Sequence, residues 1–272
     1  MHRDRILTAL VAGPLLFILL WWGGRGLFGA LVIAGSGVCL FEYYKITFSQ
    51  RTTALLLGIA SGLFPVFGAV LGNSSEYILP ALALALLVGG LYFILTFKQW
   101  ENGARDFFLF YAGASYVAFC LSHVWLLRIL PNGKAWVLFL LLVIFSGDAG
   151  AYYVGRAVGK HKLRPDVSSG KTVEGAVGGL AANILMAVAA WFLLFDNFDP
   201  RFILPVALLV GIVGQIGDLM ESIVKRSFGV KDSSNILPGH GGVFDRVDAV
   251  MLAAPFLYWM VYFGFQQGWL IR

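Results

Sequence analysis

Charged residues are scarce in this 272-residue chain: Asp, Glu, Lys and Arg together make up 13% of it, about half the ~25% of an ordinary soluble domain. Too few charges exist to cover a water-facing surface, and the same shortage excludes a disordered chain. Cysteine is nearly absent. Cys39 and Cys120 each sit alone in an apolar run with no CxxC spacing, which excludes a disulfide scaffold and leaves both as packing residues. No Cys/His cluster suits zinc. No basic stretch alternates with aromatics, so the net charge of +5 does not point to nucleic acid as a partner. Internal repeats, low-complexity segments and long linkers are missing as well.

Apolar residues fill the space the charges leave, at 59%. They come in runs of the ~17–25 residues needed to cross a ~30 Å hydrocarbon layer as helices. The chain therefore reads as an all-α integral membrane protein, a single membrane domain over 1–272. Nine spans are expected: Ile6–Trp22, Gly26–Tyr44, Thr53–Leu71, Tyr77–Phe97, Phe107–Leu130, Ala135–Val154, Val173–Phe195, Phe202–Val224 and Ala249–Trp269. The first follows a short basic stretch without a small-residue cleavage site, and so reads as a retained anchor rather than a signal peptide. Of the 20 Lys and Arg residues, 15 fall on the side that holds the N-terminus. By the positive-inside rule the N-terminus is cytoplasmic and the C-terminus lies outside.

The two halves differ. Residues 1–130 have short, plain connections and read mainly as scaffold helices. The half from 131 to 272 holds two longer cytoplasmic loops, 155–172 and 225–248, dense in Gly, Lys, Asp and His. An ionisable side chain within a span is by default a candidate for function. Glu42, in Phe-Glu-Tyr-Tyr-Lys, has a bland reading as an acid that snorkels or pairs with Lys45 at i+3. Asp148 lies between Gly147 and Gly150, where a neutral Asn would serve a merely structural bond at lower cost. Asp218, Glu221, Ser222 and Lys225 recur at i, i+3, i+4 and i+7 and share one helix face. Two acids, a hydroxyl and an ammonium in one stripe suggest a metal site beside a bound anion, the alternative being a face turned to a water-filled vestibule.

In the last loop, Lys225, Arg226 and Lys231 precede Pro238-Gly239-His240-Gly241-Gly242, and Asp245 and Asp248 follow at i, i+3. Glycines let backbone N–H groups approach a phosphate, and Lys and Arg supply the countercharge. Asp245 and Asp248 near Asp218 would form an oxygen-rich pocket suited to Mg²⁺. His240 reads equally as a phosphate contact or as a bond to its own turn. The other loop contains Gly170-Lys171-Thr172, but Pro165 stands where a Walker A loop needs glycine, and no strand of that motif precedes it. The segment from Ser168 to Gly175 instead reads as an anion-binding helix N-terminus, while the five cations of the loop could also serve topology or lipid headgroups.

The run from Ser222 to Asp248 resembles the signature of the phosphatidate cytidylyltransferases, the CDP-diacylglycerol synthases. Ser222, Lys225, Arg226, Lys231, Asp232, Pro238, His240, Gly241, Gly242, Asp245, Arg246 and Asp248 match its fixed positions. The likeness extends upstream through Asp148, Gly155-Arg156, Gly159-Lys160 and Lys171-Thr172-x-Glu174-Gly175. One departure stands out: the family usually has Ser-Pro-Lys-Lys-Thr where this chain has Ser168-Ser169-Gly170-Lys171-Thr172, with Lys162 as a candidate replacement cation.

The resemblance implies a nucleotidyltransferase of phospholipid biosynthesis in the cell inner membrane. It would convert CTP and phosphatidate into CDP-diacylglycerol and pyrophosphate with Mg²⁺, a second metal ion being left open. The partners are then CTP, phosphatidate and membrane lipid, and a homodimer is left open. Asp218 and Asp245 would hold metal with Asp248 assisting. Lys225, Arg226, Lys231 and Arg246 would neutralise phosphates, with Ser222, Asp232, His240, Gly241 and Gly242 beside them. Asp148, Lys171, Thr172 and Glu174 would shape the pocket from the other loop. The competing readings are activation of a different lipid phosphate, a secondary transporter whose acids couple H⁺ or Na⁺, and an inactive scaffold.

Overall fold

The computed structural model describes residues 13–15, 17–195, 198–237, 239 and 241–270. Eight helical segments among them are long and apolar enough to cross a membrane, and the architecture is that of an all-α membrane protein. Large apolar side chains such as Leu79, Leu87, Ile94, Leu185 and Leu193 point outward, as lipid-facing helices require and a water-facing surface does not tolerate in such number. The expected spans from the second to the ninth each coincide with one of these segments. Of the expected first span, Ile6–Trp22, residues 6–12 and 16 lie outside the described residues.

The chain divides into two compact units, Met1–Ile129 with Phe228–Val247, and Leu130–Ser227 with Asp248–Arg272. In the first unit, helix α1 (Arg25–Thr47) is followed by α2 (Thr52–Gly62) and α3 (Phe64–Gly72), two halves of one span separated at Leu63. Pro65 lies in the first turn of α3, where its missing N–H costs nothing. After α4 (Ile78–Leu95), helix α5 (Gly103–Ala112) runs through a π-helical turn, Gly113–Ala118, into α6 (Phe119–Ile129). The π turn has a visible cause. Tyr43 and Tyr44 of α1 donate their hydroxyls to the carbonyls of Leu109 (2.9 Å) and Phe110 (2.6 Å), giving those carbonyls outside partners where the ladder widens.

In the second unit, α7 (Gly133–Val158) packs along α8 (Val173–Leu194), and both meet α9 (Pro200–Ser227). The approach of α7 to α8 depends on small residues: a Cβ on Gly150 would lie 2.6 Å from that of Ala182 and 3.0 Å from the carbonyl oxygen of Gly178. Small-residue contacts of this kind hold helices together in lipid. Trp136, Phe139, Phe195 and Phe198 form an aromatic nest in this unit, with the Trp136 and Phe195 rings 4.3 Å apart.

Two features differ from the sequence expectation. The loop expected at 155–172 is not irregular: it folds into an antiparallel hairpin, β1 (Lys162–Arg164) with β2 (Ser168–Thr172), pairing Lys162 with Thr172 and Arg164 with Ser168. The last helix, α10 (Phe244–Gln266), starts five residues before the expected Ala249. Its first residues are too polar for an apolar-run count to include, but the Glu42 carboxylate accepts the Phe244 N–H that opens the helix.

Candidate active site

A cleft of about 420 Å³ opens in the second unit, lined by Asp148, Tyr152 and Arg156 of α7, Leu163 of β1, Lys171 and Thr172 of β2, and Gln215 and Asp218 of α9. Alanines and glycines (Ala151, Gly155, Gly170, Gly175, Ala176) make up most of the remaining wall. At its polar centre, Lys171 Nζ meets Asp218 Oδ2 at 2.6 Å, the two side chains 27% and 28% exposed. Desolvation by the protein is therefore partial, and both groups keep access to a ligand. The charges of Asp218 and Asp148 both act on Asp248 of α10, so three carboxylates of this unit lie within electrostatic reach of one another.

Local sequence explains how these groups are held. Thr172 ends β2 and caps α8: its side-chain oxygen accepts from the Gly175 N–H at 3.1 Å. That is why the Ser168–Gly175 segment turns sharply from strand to helix. Glu174 bends back to the start of the hairpin, where its carboxylate accepts from the N–H groups of Lys160 (3.1 Å) and His161 (3.2 Å) and from His161 Nδ1 (2.6 Å). Arg156 donates to the Tyr152 hydroxyl at 3.1 Å, and Gln215 donates to the Ala176 carbonyl at 3.0 Å, tying α9 to α8.

The stripe on α9 divides by burial. Asp218 opens to the cleft, whereas Glu221, Ser222 and Lys225 are buried and Lys225 Nζ sits 2.7 Å from Glu221 Oε2. Arg226, on the following position, is exposed. Lys162, the candidate replacement cation, lays its ammonium on the Ser169 carbonyl of β2 at 2.8 Å. A Cβ at the neighbouring Gly170 would meet nothing within 4 Å, so packing does not demand glycine there.

The signature loop belongs to the first unit and is organised by two acids. Asp245 accepts from the Ser233 N–H (2.9 Å), the Ser233 hydroxyl (2.9 Å) and the Gly242 N–H (2.8 Å). Its carboxylate thus folds its own loop, a task the sequence reading, which gave Asp245 to metal, did not foresee. Leu237 N–H donates to Gly241 O at 2.9 Å and closes the turn. Gly241 has φ +76°, and its Cβ would lie 2.7 Å from Asp245 Oδ2, so this position requires glycine twice over. At Gly242 a Cβ would fall 2.0 Å from Ser233 Oγ and 2.5 Å from Glu42 Oε1. Close packing against these side chains by itself requires glycine at that position. Lys231, Asp232 and Arg246 are exposed, while Pro238 and His240 lie outside the described residues.

The structure therefore brings Asp148, Lys171, Thr172 and Asp218 to one cleft, and turns Glu174 to the base of the hairpin. Sequence reasoning missed Tyr152 and Gln215 as lining residues. It also missed Glu42, whose expected partner Lys45 is replaced by the signature loop. Glu42 accepts from Phe244 N–H at 2.7 Å, from Val243 N–H at 3.1 Å and from the Ser234 hydroxyl. The only signal was an acid inside an apolar run, and nothing local named its partners.

Among the described residues, no three His, Cys, Asp or Glu side chains gather closely enough to form a ready-made metal cage. Mg²⁺ does not need one, since one or two carboxylates plus substrate phosphates commonly suffice. Asp218, part-exposed in the cleft, and Asp248 fit that donor chemistry.

Known proteins resemble the chain over most of its length. The model of the cytidylyltransferase family matches residues 3–264. A phosphatidate cytidylyltransferase of Bacillus subtilis is 31% identical over 266 residues, covering 95% of this chain and 97% of the relative. That of Brucella suis is 39% identical over 262 residues, covering 94% and 92%. That of Staphylococcus haemolyticus is 45% identical over 126 residues, covering 46% and 48%. The chain belongs to the cytidylyltransferase family and is a nucleotidyltransferase.

Proposed function

We propose, from that membership, that the enzyme transfers a cytidylyl group from CTP to phosphatidate and releases pyrophosphate, giving CDP-diacylglycerol. The observation that carries the reading is the Lys171–Asp218 pair, part-exposed in a cleft that Asp148 and Arg156 also line. The names of the relatives supply the substrates. A phosphate monoester has its second pKa near ~6, so the lipid phosphate is already nucleophilic at neutral pH and the reaction needs no general base. What it needs is relief of repulsion between two polyanions and in-line alignment.

Lys171 and Arg156 would meet phosphate oxygens at the cleft, with Asp148 shaping its polar floor. Asp218 and Asp248 would hold Mg²⁺, whose charge offsets that gathering on the α-phosphate and on the departing pyrophosphate, a contribution of several kcal/mol in such sites. Glu221 pairs with Lys225 at 2.7 Å and holds its side chain in place. Lys231, Arg226 and Arg246 would counter the triphosphate, and Ser222, Asp232, His240 and the Gly241–Gly242 turn complete the substrate-binding set. Asp245 is assigned to the loop it folds. We place the reaction at the cytoplasmic face of the cell inner membrane. The excess of Lys and Arg on the side of the two long loops supports that, and CTP is available there.

The test uses the full-length protein in detergent with Mg²⁺, cytidine-labelled CTP and short-chain phosphatidate, followed by lipid extraction. Label should enter the lipid phase only when phosphatidate is present, and EDTA should abolish it. Label entering instead with another lipid phosphate would move the enzyme to a different substrate. Flux of H⁺ or Na⁺ without any nucleotide chemistry would point to a transporter.

A further inference from the structure

Glu42 lies on α1 with its side chain fully buried, about 190–200 positions away in sequence from every group it binds in the signature loop. Burying a carboxylate is costly unless its oxygens are satisfied, and here they are. Oε2 accepts from Phe244 N–H at 2.7 Å, and Oε1 accepts from Val243 N–H at 3.1 Å and from the Ser234 hydroxyl. The Ser233 hydroxyl stands 3.3 Å from Glu42 and 2.9 Å from Asp245. Its one proton serves one acceptor at a time, and the shorter distance gives it to Asp245.

The two acids therefore divide the loop. Asp245 folds it internally, and Glu42 fastens both its ends, Ser234 and the N–H groups of Val243 and Phe244, to α1. The hydroxyls of the neighbouring Tyr43 and Tyr44 go elsewhere, to the carbonyls of Leu109 and Phe110, and not to the loop. Lys231 stands three residues before Ser234 and Arg246 two residues after Phe244, so each cation adjoins one fastened end of the segment.

We propose that Glu42 is a positioning residue for cytidylyl transfer: it sets the backbone from which Lys231 and Arg246 meet the substrate phosphates. This rests on the function proposed above, and the experiment separates the two. Glu42→Ala, Glu42→Gln and Tyr44→Phe are compared with the parent protein in detergent, by backbone hydrogen exchange and by kcat and KM for CTP. Tyr44→Phe removes a buried hydroxyl of α1 without touching the loop.

In Glu42→Ala, the amides of Val243 and Phe244 should exchange faster by about ten- to a hundredfold, the loss expected of hydrogen bonds to a charged acceptor. Amides along α7 and α8 should stay unchanged, and kcat should fall by a similar factor. Glu42→Gln keeps one acceptor oxygen and should recover part of both. Tyr44→Phe should lower the unfolding temperature while keeping kcat within about threefold. If Glu42→Ala does not fold, Glu42→Gln and Glu42→Asp decide by the same readings. Unchanged exchange at Val243 and Phe244, or an equal loss of kcat in Tyr44→Phe, overturns the proposal. A parent protein that forms no cytidylylated lipid refutes the function instead, and the exchange rates still decide whether Glu42 anchors the loop.

Discussion

The acids of the signature loop and the acids of the cleft are alike in sequence and opposite in circumstance. Glu42 and Asp245 spend their oxygens on backbone N–H groups and serine hydroxyls of one short segment. Asp218 stands part-exposed against Lys171, with Asp148 lining the same cleft. A carboxylate surrounded by backbone donors is a construction element, because removing it strands those donors without partners. A carboxylate facing a mobile ammonium in an open cleft can exchange that partner for a ligand without unfolding anything. Residue type therefore does not assign the role; the donors within 3 Å do.

That contrast is open to direct attack. The largest effect should come from Asp218→Asn, which removes a charge and leaves the shape. Turnover should fall by more than about a hundredfold, matching the several kcal/mol of a metal contact, while the elution profile and thermal midpoint in detergent stay unchanged. Near-normal turnover would remove Asp218 from the metal site and dissolve the distinction. Next comes Lys171→Met, for which kcat/KM should drop by about ten- to a hundredfold, the value of one or two charge-assisted hydrogen bonds; steady-state kinetics with CTP and lipid varied in turn would show which substrate feels it.

Gly242→Ala tests the other side of the comparison. Its Cβ would overlap Ser233 and Glu42, so it should cost about 1–3 kcal/mol of stability and loosen the loop. Thermal unfolding and exchange at Ser233 would register this, whereas the same change at Gly170, which faces open space, should register nothing. The smallest effect is expected of Thr172→Val. Losing the cap of α8 should lower stability by about 1 kcal/mol and leave turnover within about threefold, as denaturation and activity measured on one preparation would show.

Much of this arrangement was legible before any coordinates. The second to ninth spans followed from run length alone, and the stripe Asp218, Glu221, Ser222, Lys225 fell on one face of α9 because helical period allows nothing else. The cleft residues Asp148, Lys171 and Asp218 were each marked by charge inside or beside an apolar run. Other features were not legible. The signal for Glu42 was read locally, and Lys45 was the only local partner on offer. The hairpin at 162–172 is too short and too charged to carry an alternating apolar pattern. The early start of α10 goes with an acceptor that Glu42 supplies to the Phe244 N–H, which no count of apolar residues can register.

Composition and run length by themselves determined that this chain is a membrane protein made of helices, since lipid leaves a backbone no other way to satisfy its polar groups within one segment. The spacing of charged and glycine residues marked which loops carry chemistry. Only the tertiary structure decided which acids bind the loop backbone and which line the cleft. Hydrogen bonds between residues nearly 200 positions apart are set by how helices pack, and local sequence holds no record of that.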